Sequence, residues 1–94
     1  MHDYPTEEQL QFIREYDLRQ GSSGLIGHLQ EIWHWQDYIK VIHGLGKCAL
    51  ELHTGGWSGN EDIIKALQST LFWLMYWHKS ERGGHYYLEI PEGH

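Results

Sequence analysis

Cysteine is almost missing from this chain. A lone Cys48 among 94 residues excludes an internal disulfide framework and a Cys-rich zinc site. Long apolar runs are missing as well. The longest, Leu71–Trp77, is far below the roughly 18–20 residues that span a bilayer. Met1-His2-Asp3-Tyr4-Pro5 has no basic region followed by an apolar one, so no signal peptide is expected. The expected setting is soluble and cytoplasmic, with no membrane contact. Basic residues are few: seven Lys and Arg against thirteen Asp and Glu, a formal charge of −6. That disfavours direct nucleic-acid binding, which leans on Lys and Arg to neutralise phosphate. Residues 1–37 hold seven acids and two bases, and residues 38–94 hold six and five. The acidic front is either a solvated helical face or a surface for a basic partner.

What is present is aromatic bulk and glycine. Five Trp, six Tyr and two Phe give a short chain the apolar area it needs for one modest core, so residues 1–94 read as a single domain. Thr6-Glu7-Glu8-Gln9 has the form of a capping box, and Leu10, Ile13 and Tyr16 follow at helical spacing. A first helix is expected over about 6–19, stopped by Gln20-Gly21. Ser22-Ser23 can cap a second, over about 23–35, with a stripe of Leu25, Ile26, Leu29, Ile32 and Trp33. The short joint suggests an antiparallel helical pair.

Then the period changes. Residues 38–43 are rich in β-formers, and Lys47–His53 alternates, with Cys48, Leu50 and Leu52 on one side. With Gly44-Leu45-Gly46 between them they form a hairpin. Ile63, Ile64, Leu67, Leu71, Leu74, Met75 and His78 make one helical stripe, so a long central helix over Asn60–Lys79 is favoured. The alternative makes residues 71–77 a buried strand paired with His85–Ile90, since periodicity cannot separate the two in a continuous apolar run. His85–Ile90 alternates and reads as the last strand. Residues 92–94 should be loose. The fold class is α+β: a small antiparallel sheet of three strands, possibly four, packed by the helical pair and the central helix.

The candidate chemistry lies in Thr54-Gly55-Gly56-Trp57-Ser58-Gly59-Asn60-Glu61. Glycines running into a helix start expose backbone N–H groups that can hold an anion. Ser58 and Asn60 add polar contacts, and Trp57 can stack on a ring. The structural reading is that Ser58 and Glu61 form a capping box and the glycines supply positive φ. The stretch lacks the P-loop lysine and the G-x-G-x-x-G spacing. In Arg82-Gly83-Gly84-His85, Arg82 can clamp an anion and His85 can move a proton. The plain alternative is a basic helix end and a surface histidine. Histidines 34, 43, 53, 78 and 85 show no H-x-x-x-H or H-E-x-x-H spacing, so no metal and no cofactor is expected, although His53 and His85 could meet at their strand ends. Cys48 reads as packing, and Ser58 has no G-x-S-x-G frame. No catalytic residue is assigned, and hydrolytic or metal-dependent chemistry is the weakest reading. Phe72, Trp73, Tyr76 and Trp77 are the candidate interface, either with a partner or with further copies of the chain.

Residues 50–64, then Leu71-Phe72-Trp73, Tyr76-Trp77 and Arg82-Gly83-Gly84-His85-Tyr86, resemble a group of small proteins encoded by bacteriophages and prophages. The resemblance spans about residues 48–90. It implies a setting: a small non-enzymatic accessory protein in the host cytoplasm that binds a host protein, such as part of a defence system. The alternative it leaves open is the sequestering of a small anionic, nucleotide-like ligand at the glycine-rich stretch.

Overall fold

Local chemistry sets the first helix. In the computed structural model, which describes residues 4–91, α1 runs Glu7–Glu15. Thr6 Oγ1 accepts from the Gln9 N–H at 3.1 Å, and Gln9 Oε1 accepts from the Thr6 N–H at 2.8 Å. The capping box therefore forms as expected. The helix stops four residues early, because Asp17 captures the Arg19 N–H at 3.0 Å and starts a short 3-10 turn over Leu18–Gln20. Arg19 also holds the Asp17 carboxyl below the usual carboxylate range.

α2 runs Ser22–Ile32. Gly21, not a serine, sits at its N-cap, with no side-chain cap bond. Gly24 leaves room for the Tyr16 hydroxyl. The helix ends before Trp33 rather than at 35. Gln36 Nε2 donates to the Gln30 carbonyl at 2.8 Å, and Asn60 Oδ1 takes the His34 N–H at 2.9 Å. Both bonds draw the chain away from the helical path. The helical pair touches where the Phe12 and His28 rings lie 4.1 Å apart. The chief packing partner of α1 is the later helix α3, Ser58–Gln68.

β1, Ile39–Gly44, and β2, Lys47–His53, form the expected hairpin around a two-residue turn, Leu45-Gly46. The long central helix is a correction. It breaks at Ser69-Thr70 into α3 and α4, Leu71–Tyr76. The Ser69 and Thr70 hydroxyls donate back to the Ala66 and Leu67 carbonyls at 2.7 and 2.5 Å. Thr70 then caps α4, its Oγ1 accepting from the Trp73 N–H at 3.2 Å. The apolar run is thus helix to Tyr76 and strand from Trp77. β3, Trp77–Glu81, pairs with β4, His85–Pro91.

The sheet has four antiparallel strands in the order β1-β2-β4-β3. Its buried side carries Ile39, Leu50, Leu52, Leu88 and Ile90, which join Ile13, Leu29, Ile63, Leu67 and Phe72 from the helices in one core. The other side carries Lys40, Glu51, His53, Tyr87 and Glu89, none of them buried. Among the described residues no helix is long and apolar enough to cross a membrane. The expectation for residues 92–94 lies outside the described residues.

Candidate functional site

β2 ends at His53, and the chain turns through Thr54–Trp57, where the Trp57 N–H donates to the Thr54 carbonyl at 3.0 Å. Gly55 and Gly56 have φ of 62° and 76°. Two successive positive φ values explain the glycine pair. Thr54 is buried, and its N–H donates to the Gly84 carbonyl at 2.9 Å, tying this turn to the β3–β4 turn. Asn60 is 0% exposed, and its amide serves backbone alone. Oδ1 accepts from the His34 N–H, while Nδ2 donates to the His34 and Thr54 carbonyls at 3.1 and 3.3 Å. Thr54 and Asn60 are therefore the frame of the glycine turn.

The Ser58–Glu61 capping box does not form. Trp57 occupies the N-cap with no side-chain bond to the helix's first N–H groups, and the Ser58 hydroxyl donates to Tyr4 at 3.1 Å. The start of α3 is covered. A Cβ on Gly59 would meet the Trp57 indole nitrogen at 2.6 Å and Pro5 at 3.2 Å. Trp57 itself belongs to an aromatic cluster. It stacks on His34 at 4.7 Å and tilts against Tyr4 at 4.8 Å. Trp35, at 6.3 Å, joins the cluster to Tyr38. Trp35 and Tyr38 press on Gly55, where a Cβ would lie 2.8 and 2.7 Å from their rings. Among the described residues Trp35 is the single non-glycine with positive φ, 64°. Trp35 and Tyr38 were not among the expected site residues. The dense Trp33-His34-Trp35 aromatic run was the available signal.

Beyond Gly55 lies an open cleft of about 420 Å³ lined by Asp37, Tyr38, Lys40, His53, Gly55, Gly83 and His85. The strand register places His53 opposite His85. Their Nδ1 atoms lie 2.6 Å apart, and His53 Nε2 is 3.4 Å from Glu51 Oε1. Desolvation first, and then the Glu81 carboxylate that accepts its hydroxyl proton at 3.1 Å, hold neighbouring Tyr87 protonated above the ordinary phenol range. Arg82 is exposed in the turn just before Gly83. Arg14, Arg19, Lys47 and Lys79 each pair with a carboxylate, whereas among the described residues Lys40, Lys65 and Arg82 have none within 4.0 Å. Two of those three flank this cleft. Among the described residues no group of three His, Cys, Asp or Glu is arranged to hold a metal ion.

Of the expected ligand residues, Gly55 and His85 line the cleft and Arg82 adjoins it. Trp57 and Ser58 sit on the aromatic side, and Gly56 is exposed in the turn. A second cleft, of about 440 Å³, lies between α1 and the α3–α4 joint, lined by Ile13, Leu18, Leu71 and Phe72 among others. Its charged side chains Arg14, Asp17 and Arg19 are already paired, so it offers apolar surface rather than anion recognition.

The expected interface residues divide. Phe72 and Tyr76 are core, their rings packed edge-on at 5.4 Å, and Trp73 is half-buried against Tyr86. Trp77 is 47% exposed, beside Leu71 at 65%, Leu74 at 76% and Met75 at 59%. The break at Ser69-Thr70 resets the helical phase. Leu71, Leu74 and Met75, which a continuous helix would bury with Ile63 and Leu67, therefore face outward. Compared with protein families, curated proteins and solved structures, the chain matches none.

Proposed function

We propose that this chain is a small non-enzymatic module that binds a host protein and associates with further copies of itself, acting in the host cytoplasm as the phage resemblance implies. The observation that carries the reading is the outward apolar face Leu71, Leu74, Met75 and Trp77 on α4 and the start of β3. Neighbouring large apolar side chains left in water mark interaction surfaces more often than isolated ones do. The face continues at Leu71 into the apolar cleft beside α1, a receptacle for a partner's side chain. The acidic front, with Glu7, Glu8 and Glu15 exposed on α1, suits a basic rim on that partner.

The test is a double substitution, L74E with M75E. Both side chains lie in solvent, so the unfolding free energy should move by no more than about 0.5 kcal/mol. Sedimentation velocity should find the parent protein associated and the variant monomeric. A parent that stays monomeric at every concentration, or a variant that associates unchanged, would count against the reading.

A second reading, a binder of a small anionic ligand, draws on a separate observation. In a chain of net charge −6, Lys40 lines the imidazole-lined cleft beside Asp37 and Arg82 directly precedes its Gly83, both cations without an ion-pair partner among the described residues. The support lies on the Gly55 side of the turn, since Trp57 and Pro5 cover the first turn of α3.

A further inference from the structure

The contacts around the imidazole pair favour one arrangement of its protons. A carboxylate only accepts hydrogen bonds, so the contact between Glu51 Oε1 and His53 Nε2 places the proton on that nitrogen. A neutral His53 then has a bare Nδ1. The Nδ1 of His85, 2.6 Å away, must supply the proton between them. Neutral His85 is left with a bare Nε2. That atom lies at the cleft, 3.4 Å from where a Cβ on Gly83 would stand. A Cβ there would sit at ordinary contact distance from it. Glu51, His53 and His85 thus form a relay that holds one acceptor nitrogen toward open space.

Three further features surround that acceptor. Tyr38 presents a partly exposed ring on the cleft wall, braced by Trp35. Lys40 lines the cleft together with one carboxylate, Asp37, and Arg82 directly precedes the lining Gly83; among the described residues neither cation has a carboxylate within 4.0 Å. The volume, about 420 Å³, is in the range of small-molecule sites. A ring for stacking, two positive charges and one acceptor together describe a ligand. A phosphate monoester carries about 1.5–2 negative charges at neutral pH, which two cations match.

We infer that this cleft binds a nucleoside monophosphate, its base stacked on Tyr38, its phosphate on Lys40 and Arg82, and a ring N–H of the base donated to His85 Nε2. The inference rests on the anionic-ligand reading and adds the identity of the acceptor and of the group it receives.

The experiment titrates uridine and guanosine monophosphates into the full chain, each beside the analogue methylated on its ring N–H. Imidazole nitrogens are followed by long-range proton–nitrogen NMR, and affinity by calorimetry. In the free protein His53 should carry its proton on Nε2 and His85 on Nδ1. At least one parent nucleotide should bind and shift the His85 Nε2 resonance, with its methylated analogue at least about tenfold weaker. His85→Asn retains an N–H toward His53 and deletes the cleft nitrogen. It should keep the thermal midpoint and lose the same factor. Equal binding of parent and methylated nucleotides would overturn the role of His85 and leave the anionic-ligand reading standing. Absence of any response to nucleotides or to inorganic phosphate would overturn both.

Discussion

Asn60→Ala is expected to lower the free energy of unfolding by about 3 kcal/mol, because it orphans the His34 N–H and carbonyl and takes one of two donors from the Thr54 carbonyl, which keeps the Trp57 N–H. The amide bonds to the His34 N–H, the His34 carbonyl and the Thr54 carbonyl, and Asn60 is fully buried. Each group left unsatisfied away from water costs about 1–3 kcal/mol, with carbonyls at the lower end. Urea denaturation at constant slope measures it. Asn60→Asp is the informative control. It preserves volume and the acceptor for the His34 N–H, but points an oxygen at two carbonyls, so it should be at least as damaging. A loss below about 1 kcal/mol would mean that water or local rearrangement satisfies these groups in the variant. Indole emission should also shift, since Asn60 anchors the backbone between Trp33 and Trp35 to the turn that carries Trp57.

Gly84→Ala is expected to cost about 3 kcal/mol, from two separable causes. The φ of Gly84 is 84°, which charges any L side chain about 1–2 kcal/mol. Its new Cβ would also overlap Thr54 Oγ1. Thr54 cannot step aside, since it is buried and its own N–H is bonded to the Gly84 carbonyl at 2.9 Å. Adding Thr54→Ala should remove the overlap and leave the backbone cost. The double variant should then be more stable than the sum of the two single losses implies, by about 1 kcal/mol or more. Strict additivity in a melting series would show that the overlap relaxes through the backbone instead.

The parts legible in the sequence were those decided by neighbours in the chain. Thr6 and Gln9 are three residues apart and settle the start of α1 between them. The alternation of Cys48, Leu50 and Leu52 needs only a strand with one buried side. That His53 and His85 could meet was open from their strand ends, and the side-by-side pairing of β2 with β4 decides it. Ser69-Thr70 was also within local reach. Two hydroxyls able to bond back to the preceding turn compete with helix continuation, but an unbroken apolar stripe on both sides concealed them. Ser58 misled for a different reason. Serine three residues before glutamate satisfies the capping pattern, yet the chain enters α3 one residue earlier, and Tyr4, far away in sequence, takes the hydroxyl. The cleft was least legible. Lys40 comes to the cleft through the β1–β2 register, but Trp35 and Tyr38 press on Gly55 beside a backbone that Asn60 ties to the glycine turn at His34, a contact across 26 residues. Trp35 adopts positive φ within that pinned segment, and no local propensity points to it.

The strand order has a kinetic meaning. β1–β2 and β3–β4 are both hairpins between consecutive strands, joined side by side through β2 and β4. The inner edge of β2 therefore stays bare until β4, the last strand of this sheet in chain order, has been made. During synthesis the first hairpin and α3 exist for a time without the partner that closes their shared core. The nascent chain presents Leu50 and Leu52 on a strand with an open edge throughout that interval. Commitment to the native state thus waits for β4, and the His53–His85 pairing, which needs β2 and β4 side by side, reports that the two hairpins have joined.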